Sequence, residues 1–101
     1  MVVVVFRITL RRDLDEADYA ATGERMLELV SSMPGFLGMD YAEVEDGELL
    51  VARFESHEAL EAWRTHPEHL EAQKAGRERF FAHYSIEVCD EVRSYAFDRG
   101  S

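Results

Sequence analysis

Apolar residues recur along this chain with two different periods, and the switches between them mark out the elements. Val2 to Leu10 is dense in β-branched residues and predicts a first strand, which Arg11-Arg12 ends. Asp13-Leu-Asp-Glu16 has the spacing of a capping box and predicts a helix start. Tyr19, Gly23, Met26, Leu27, Val30 and Met33 then recur at helical spacing, until Pro34-Gly35 stops the helix. Phe36 to Glu45 and Glu48 to Glu55 flank Asp46-Gly47, a two-residue signal for a type I′ hairpin turn. Ser56 caps a short helix over Glu58 to Arg64, and Pro67 restarts a second segment that runs to about Phe81. Tyr84 to Phe97 alternates as a last strand, with Asp90-Glu91 interrupting it. The order βαββαβ predicts an α+β, ferredoxin-like domain with a four-stranded antiparallel sheet, spanning 1–101 as one domain.

Two helices cover only one face of such a sheet. Yet the first strand is apolar on both sides, with Val4, Phe6, Ile8 and Leu10 on one and Val3 and Val5 on the other. The hairpin repeats this, with Leu50, Ala52 and Phe54 opposed to Leu49 and Val51. A strand with water on one side alternates apolar and polar residues instead. The predicted cover is a second copy packed sheet against sheet, with Arg7, Thr9, Arg53 and Glu55 toward the rim.

Composition narrows the partners. The chain has 101 residues, 47% of them hydrophobic, which takes it out of the disordered class. Asp and Glu number 21 against 11 Lys and Arg, a net charge of −10 that repels nucleic acid and anionic membrane surfaces. Neither is expected as a partner. The longest apolar run, Val2 to Phe6, is too short to span a bilayer and has no signal-peptide pattern. A single cysteine, Cys89, forms no internal disulfide and fits a reducing, cytoplasmic setting; it reads as a core or interface residue.

Candidate chemistry is sparse. No GxSxG, P-loop or GxGxxG sequence occurs, and acidic Asp90 and Glu91 beside Cys89 disfavour its thiolate. His66 and His69 share helical spacing but lack a third ligand, so no metal is expected. The segment around Trp63, the only tryptophan, is more informative. Leu70, Gln73, Arg77 and Phe81 trace a strip expected to face the sheet, and buried polar groups on it need partners. Either a cavity lies between helix and sheet, lined by Trp63, His69, Gln73 and aromatic neighbours, or Trp63 is plain core and the polar residues tilt to the edge.

The element order, the segment Phe54-Glu-Ser-His-Glu-Ala-Leu-Glu-Ala-Trp63, the following His66-Pro-Glu-His69 and the closing run Phe80 to Phe97 resemble the antibiotic biosynthesis monooxygenase family over nearly the whole chain. The resemblance implies a dimeric α+β barrel. It implies one of three activities: cofactor-free oxygenation of anthrone-like polyketides, quinol oxidation, or haem degradation. Haem degraders carry an Asn on the first strand, a Trp closing the first short helix and a His on the next. Trp63 matches the Trp, but Phe6 stands where the Asn would be and Gln73 where the axial His would be, which leaves iron without its ligand. In quinol-type members two His positions recur here; Trp63 replaces the first and His69 matches the second.

A cofactor-free oxygenase must make its substrate electron-rich by removing a proton, then stabilise the anion away from water. On this reading His69 is the base, Trp63 stacks on the substrate ring, and Gln73 or Arg77 donates to the oxyanion. Phe6 and Phe81 join Arg77 as substrate-binding residues. The expected function is a monooxygenase, without metal or flavin, of an electron-rich aromatic, anthrone-like or quinol small molecule. The alternative is a non-catalytic protein of the same fold that binds a hydrophobic metabolite or haem.

Overall fold

The computed structural model describes residues 1–100. Strand β1 (Val2–Leu10) is followed by α1 (Glu16–Ser31), β2 (Phe36–Val44), β3 (Gly47–Phe54), α2 (His57–Arg64), α3 (Pro67–Ala75), a π-helical turn over Gly76–Phe80, and β4 (Phe81–Asp90). The four strands form one sheet in the order β2-β3-β1-β4, every neighbouring pair antiparallel. This is the ferredoxin-like arrangement the pattern predicts.

Local chemistry moves several boundaries. Asp15, not Asp13, caps α1 by accepting from the Asp18 amide at 3.1 Å. Asp13 is taken by Arg11, whose guanidinium reaches both its carboxylate oxygens at 3.0 and 2.9 Å. The second helical segment stops at Ala75, and the π-turn replaces its expected last turn. The last strand begins earlier than expected and ends at Asp90 rather than Phe97. Its sole neighbour, β1, begins at Val2, opposite Asp90, so the ladder runs out of partners.

The hairpin differs from the expected turn in an instructive way. Glu45 and Asp46 form the loop, with Asp46 at φ 60°, and Gly47 is already the first residue of β3, paired with Val44 on one side and Thr9 on the other. Glycine is needed there for proximity, not for the turn. A Cβ at position 47 would stand 1.8 Å from the carbonyl oxygen of Ile8. Gly47→Ala must therefore push β1 and β3 apart and should cost about 3 kcal/mol, the upper end of overpacking penalties. Denaturant unfolding checks it as a lower midpoint at unchanged slope; a loss under about 1 kcal/mol would mean that β1 yields freely.

Alternation places the even-numbered residues of β1 and β3 under the helices. Val2, Ile8 and Phe54 are buried there, and Val30, Phe54 and Trp63 form the core cluster, with Met26, Leu29, Met33, Phe36 and Leu60 packed on it. On the opposite face Val3 and Val5 align with Val51 and Arg53 of β3, and no helix lies over them. Arg53 pairs there with Asp40 at 3.0 Å, and Arg7 pairs with Glu87. Cys89 sits beside Val3 on this face and is exposed, so it is not a core residue. No helix among the described residues is long and apolar enough to cross a membrane.

Candidate functional site

A cavity of about 280 Å³ lies between the helices and the sheet, near the lower end of ordinary ligand pockets. Its floor includes Val4, Phe6 and Ile8 of β1 with Leu50 and Ala52 of β3, all apolar by the alternation described above. Its polar groups are few and lie mainly on the helices.

Three of them form a connected unit. Trp63, the penultimate residue of α2, is buried, and the His69 ring of α3 stacks on its indole with centroids 4.0 Å apart and planes 15° from parallel. The break between the two helices creates this pairing. His66 caps α3 through Nδ1, which accepts from the Glu68 amide at 3.1 Å, and Pro67 occupies the first turn. His69, one turn later, thereby comes back under Trp63. Its Nδ1 lies 3.0 Å from the Trp63 carbonyl oxygen. A carbonyl only accepts, so this contact fixes the tautomer with the proton on Nδ1. Gln73 Nε2, 3.3 Å from the same nitrogen, cannot donate to it and instead donates to the Arg64 carbonyl, also at 3.3 Å.

The other ring nitrogen, Nε2, is consequently an unprotonated acceptor. It makes no hydrogen bond within the chain, yet no occluded side-chain nitrogen or oxygen among the described residues lacks a partner. Nε2 is thus open to whatever enters. Burial holds the His69 pKa below the usual imidazole value, and neighbouring His66 pushes the same way, against the stabilising bond to the Trp63 carbonyl. The site holds an oriented imidazole whose neutral form burial favours.

The aromatic side of the cavity also assembles as expected. Phe6 meets Phe81 and Tyr84 edge-on at 5.9 and 5.8 Å, and Phe6 and Phe81 both line the cavity. Gly76 allows this, because a Cβ there would stand 2.3 Å from the Phe81 ring. Arg77 is the exception. It is exposed on the π-turn and does not reach the cavity. Leu70 is likewise exposed, because the inward strip of α3 runs through His69, Ala72 and Gln73, one residue round from the expected one. Among the described residues, no group of three His, Cys, Asp or Glu side chains converges to hold a metal ion.

One polar element of the cavity is not evident from the sequence pattern. Tyr19 of α1 lines it and donates its hydroxyl to Glu48 of β3; Tyr41 of β2 donates to the other Glu48 oxygen at 2.8 Å. The residues lie on three elements: the hairpin register brings Tyr41 beside Glu48, and the packing of α1 on the sheet adds Tyr19.

The fold and the cavity define an α+β ferredoxin-like domain with a mostly apolar cavity and one half-buried histidine on its wall. Residues 1–75 match the family model for antibiotic biosynthesis monooxygenase. The chain is 32% identical over 88 residues to the uncharacterised protein YqjZ of Bacillus subtilis (strain 168), covering 86% of this chain and 77% of that one. It belongs to the antibiotic biosynthesis monooxygenase family. Its fold is similar to that of Rv0793 from Mycobacterium tuberculosis (TM-score 0.80, 24% identity, 94% of this chain and 98% of that chain). It is also similar to SnoaB, a cofactor-independent oxygenase from Streptomyces nogalater (TM-score 0.75, 17% identity, 92% and 94%).

Proposed function

We propose that this chain is a monooxygenase that acts without metal or flavin on an electron-rich aromatic small molecule of the anthrone or quinol type. The observation that carries the reading is His69, held as the Nδ1–H tautomer by a backbone carbonyl and open at Nε2 inside an apolar chamber. Family membership and the structural likeness to a cofactor-independent oxygenase support it.

The chemistry follows from the spin of oxygen. Triplet O₂ reacts slowly with closed-shell molecules, so the substrate must first become an anion able to give up one electron. His69 Nε2 takes the proton from a phenol or a ring-flanked CH₂. Gln73 has a second amide N–H beyond the one given to Arg64 and donates it to the developing oxyanion. Trp63, Phe6 and Phe81 hold the ring and keep water away. Electron transfer and recombination give a peroxide, and loss of water leaves a carbonyl. One oxygen atom stays in the product and the other leaves as water, all four electrons coming from the substrate.

Oxygen uptake with a panel of anthrones and hydroquinones tests this. Stoichiometric consumption with incorporation of one ¹⁸O atom is expected. Saturable binding with no uptake across the panel would overturn it in favour of a carrier of hydrophobic metabolites, and a specific Soret band on haem titration would favour haem as the ligand.

The uncovered sheet face supports a second proposal, that two copies pack sheet to sheet and bury Val3, Val5 and Val51 between them, with a reducing cytoplasm as the setting that keeps Cys89 on that face a thiol. Val5→Asp would place a charge in that contact, opposite Val51 and Glu87. Light scattering at micromolar concentration is expected to give twice 11.6 kDa for the native chain and 11.6 kDa for the variant. A native mass of one copy would refute the pairing.

A further inference from the structure

We propose that Tyr19 is a specificity-determining residue of the chamber, selecting ligands that carry a second hydroxyl, and that Glu48 positions it. The inference rests on the chamber being the ligand site, as proposed above, but not on any reaction occurring there.

The argument is one of hydrogen-bond polarity. A tyrosine hydroxyl has a single proton and can turn it in either direction. Here the turn is decided. Glu48 accepts from Tyr19 through one oxygen and from Tyr41 through the other, so the carboxylate has a donor on each side. With its proton committed to Glu48 at the chamber's edge, the Tyr19 oxygen has only lone pairs left to offer a ligand. Burial first, and Glu48 second, hold the Tyr19 phenol protonated far above its ordinary range, so the arrangement does not titrate away near neutral pH.

Tyr19 is half-buried, packs edge-on against Phe80 at 5.2 Å and lines the chamber that His69 lines. His69 Nε2 is also an acceptor, for the independent reason that its Nδ1 proton is spent on Trp63. Two separately fixed acceptors in a mostly apolar chamber favour a ligand with two donors. A ligand with one hydroxyl satisfies His69 and leaves the Tyr19 oxygen dry; a methyl ether at the second position sets two acceptors against each other. Tyr19 therefore discriminates diols from their monoethers, and the oxidised, carbonyl form of a diol is selected against at the same point.

Calorimetric titration with the 1,4-, 1,5- and 2,6-naphthalenediols and their monomethyl ethers tests this, with circular dichroism to confirm folding. The native protein is expected to prefer at least one diol over its monoether by about tenfold, which is the size of one well-made hydrogen bond. Tyr19→Phe should abolish the preference, weakening the diol and tightening the monoether as the facing acceptor is removed, an opposite pair of changes that a purely structural role would not produce. Glu48→Leu should also lower the ratio by tightening the monoether, because the freed Tyr19 proton can reach the ether oxygen. A preference that persists in Tyr19→Phe overturns the role of Tyr19 and leaves the chamber reading standing. Failure of the native protein to bind any diol or ether removes both.

Discussion

His69→Ala is expected to lower kcat/KM for an oxygen-consuming substrate by about 10²- to 10⁴-fold, the usual contribution of a positioned base. The fold should survive, because His69 contributes to neither the core cluster nor a helix cap. His69→Gln should be nearly as poor, since an amide accepts a hydrogen bond but cannot carry away a proton. The pH profile gives a second readout with a definite sign. The active form is neutral imidazole, and burial lowers its pKa below 6.5. Activity should stay level as pH falls to about 6.5 and decline only below it, through the lowered value. Stability changes in the same direction. The unfolded chain binds its proton near pH 6.5 and the folded one only at lower pH, so stability is lost as pH falls through that window and is complete above it. An acid limb above pH 7 that vanishes in the alanine variant would contradict a half-buried neutral base.

Spacing alone leaves open whether Trp63 lines a cavity or is plain core, and what it does show is local. Trp63, His66, Pro67 and His69 lie within seven residues, so a helix break and a proline keep indole and imidazole near each other, and the stacking itself is seen only in the structure. Phe6 follows from strand alternation, whereas Phe81, expected at the end of the helical strip, is the first residue of β4. On α3 itself the inward face takes His69 and Ala72 with Gln73, and Leu70 is exposed; beyond it the helix changes period into a π-turn at Gly76, which leaves no mark in the hydrophobic pattern until Phe80 and Phe81 are both found packed inward. Arg77 stands on that π-turn and goes to solvent. The Tyr19–Glu48–Tyr41 unit is a different kind of omission. Its members are 22 to 29 residues apart or joined only through the hairpin register, and a slip of one residue there would turn Glu48 to the opposite face. Gly47, which reads as a turn residue, in fact lets β1 and β3 approach.

Trp63→Ala carries the largest expected loss of stability, about 3–5 kcal/mol, as for other buried aromatics cut back to a methyl group. The indole is one of three residues in the core cluster, touching the part built on Val30 and Phe54. For a domain of this size the melting temperature should fall by more than about 10 °C. A fall that large hides any direct role in the site, so Trp63→Phe is the informative partner, because it refills most of the volume. The bond that fixes the His69 tautomer comes from the backbone carbonyl of residue 63 and is indifferent to either substitution. What the indole itself supplies is the stacked cover that desolvates the imidazole. In a folded Trp63→Ala variant, below its melting temperature, the His69 pKa should climb back toward 6.5, and in Trp63→Phe it should stay low; NMR titration of the ring protons measures both. A His69 that titrates identically in all three proteins would mean that the rest of the chamber, and not the indole, keeps the base neutral, and Trp63 would then be core alone.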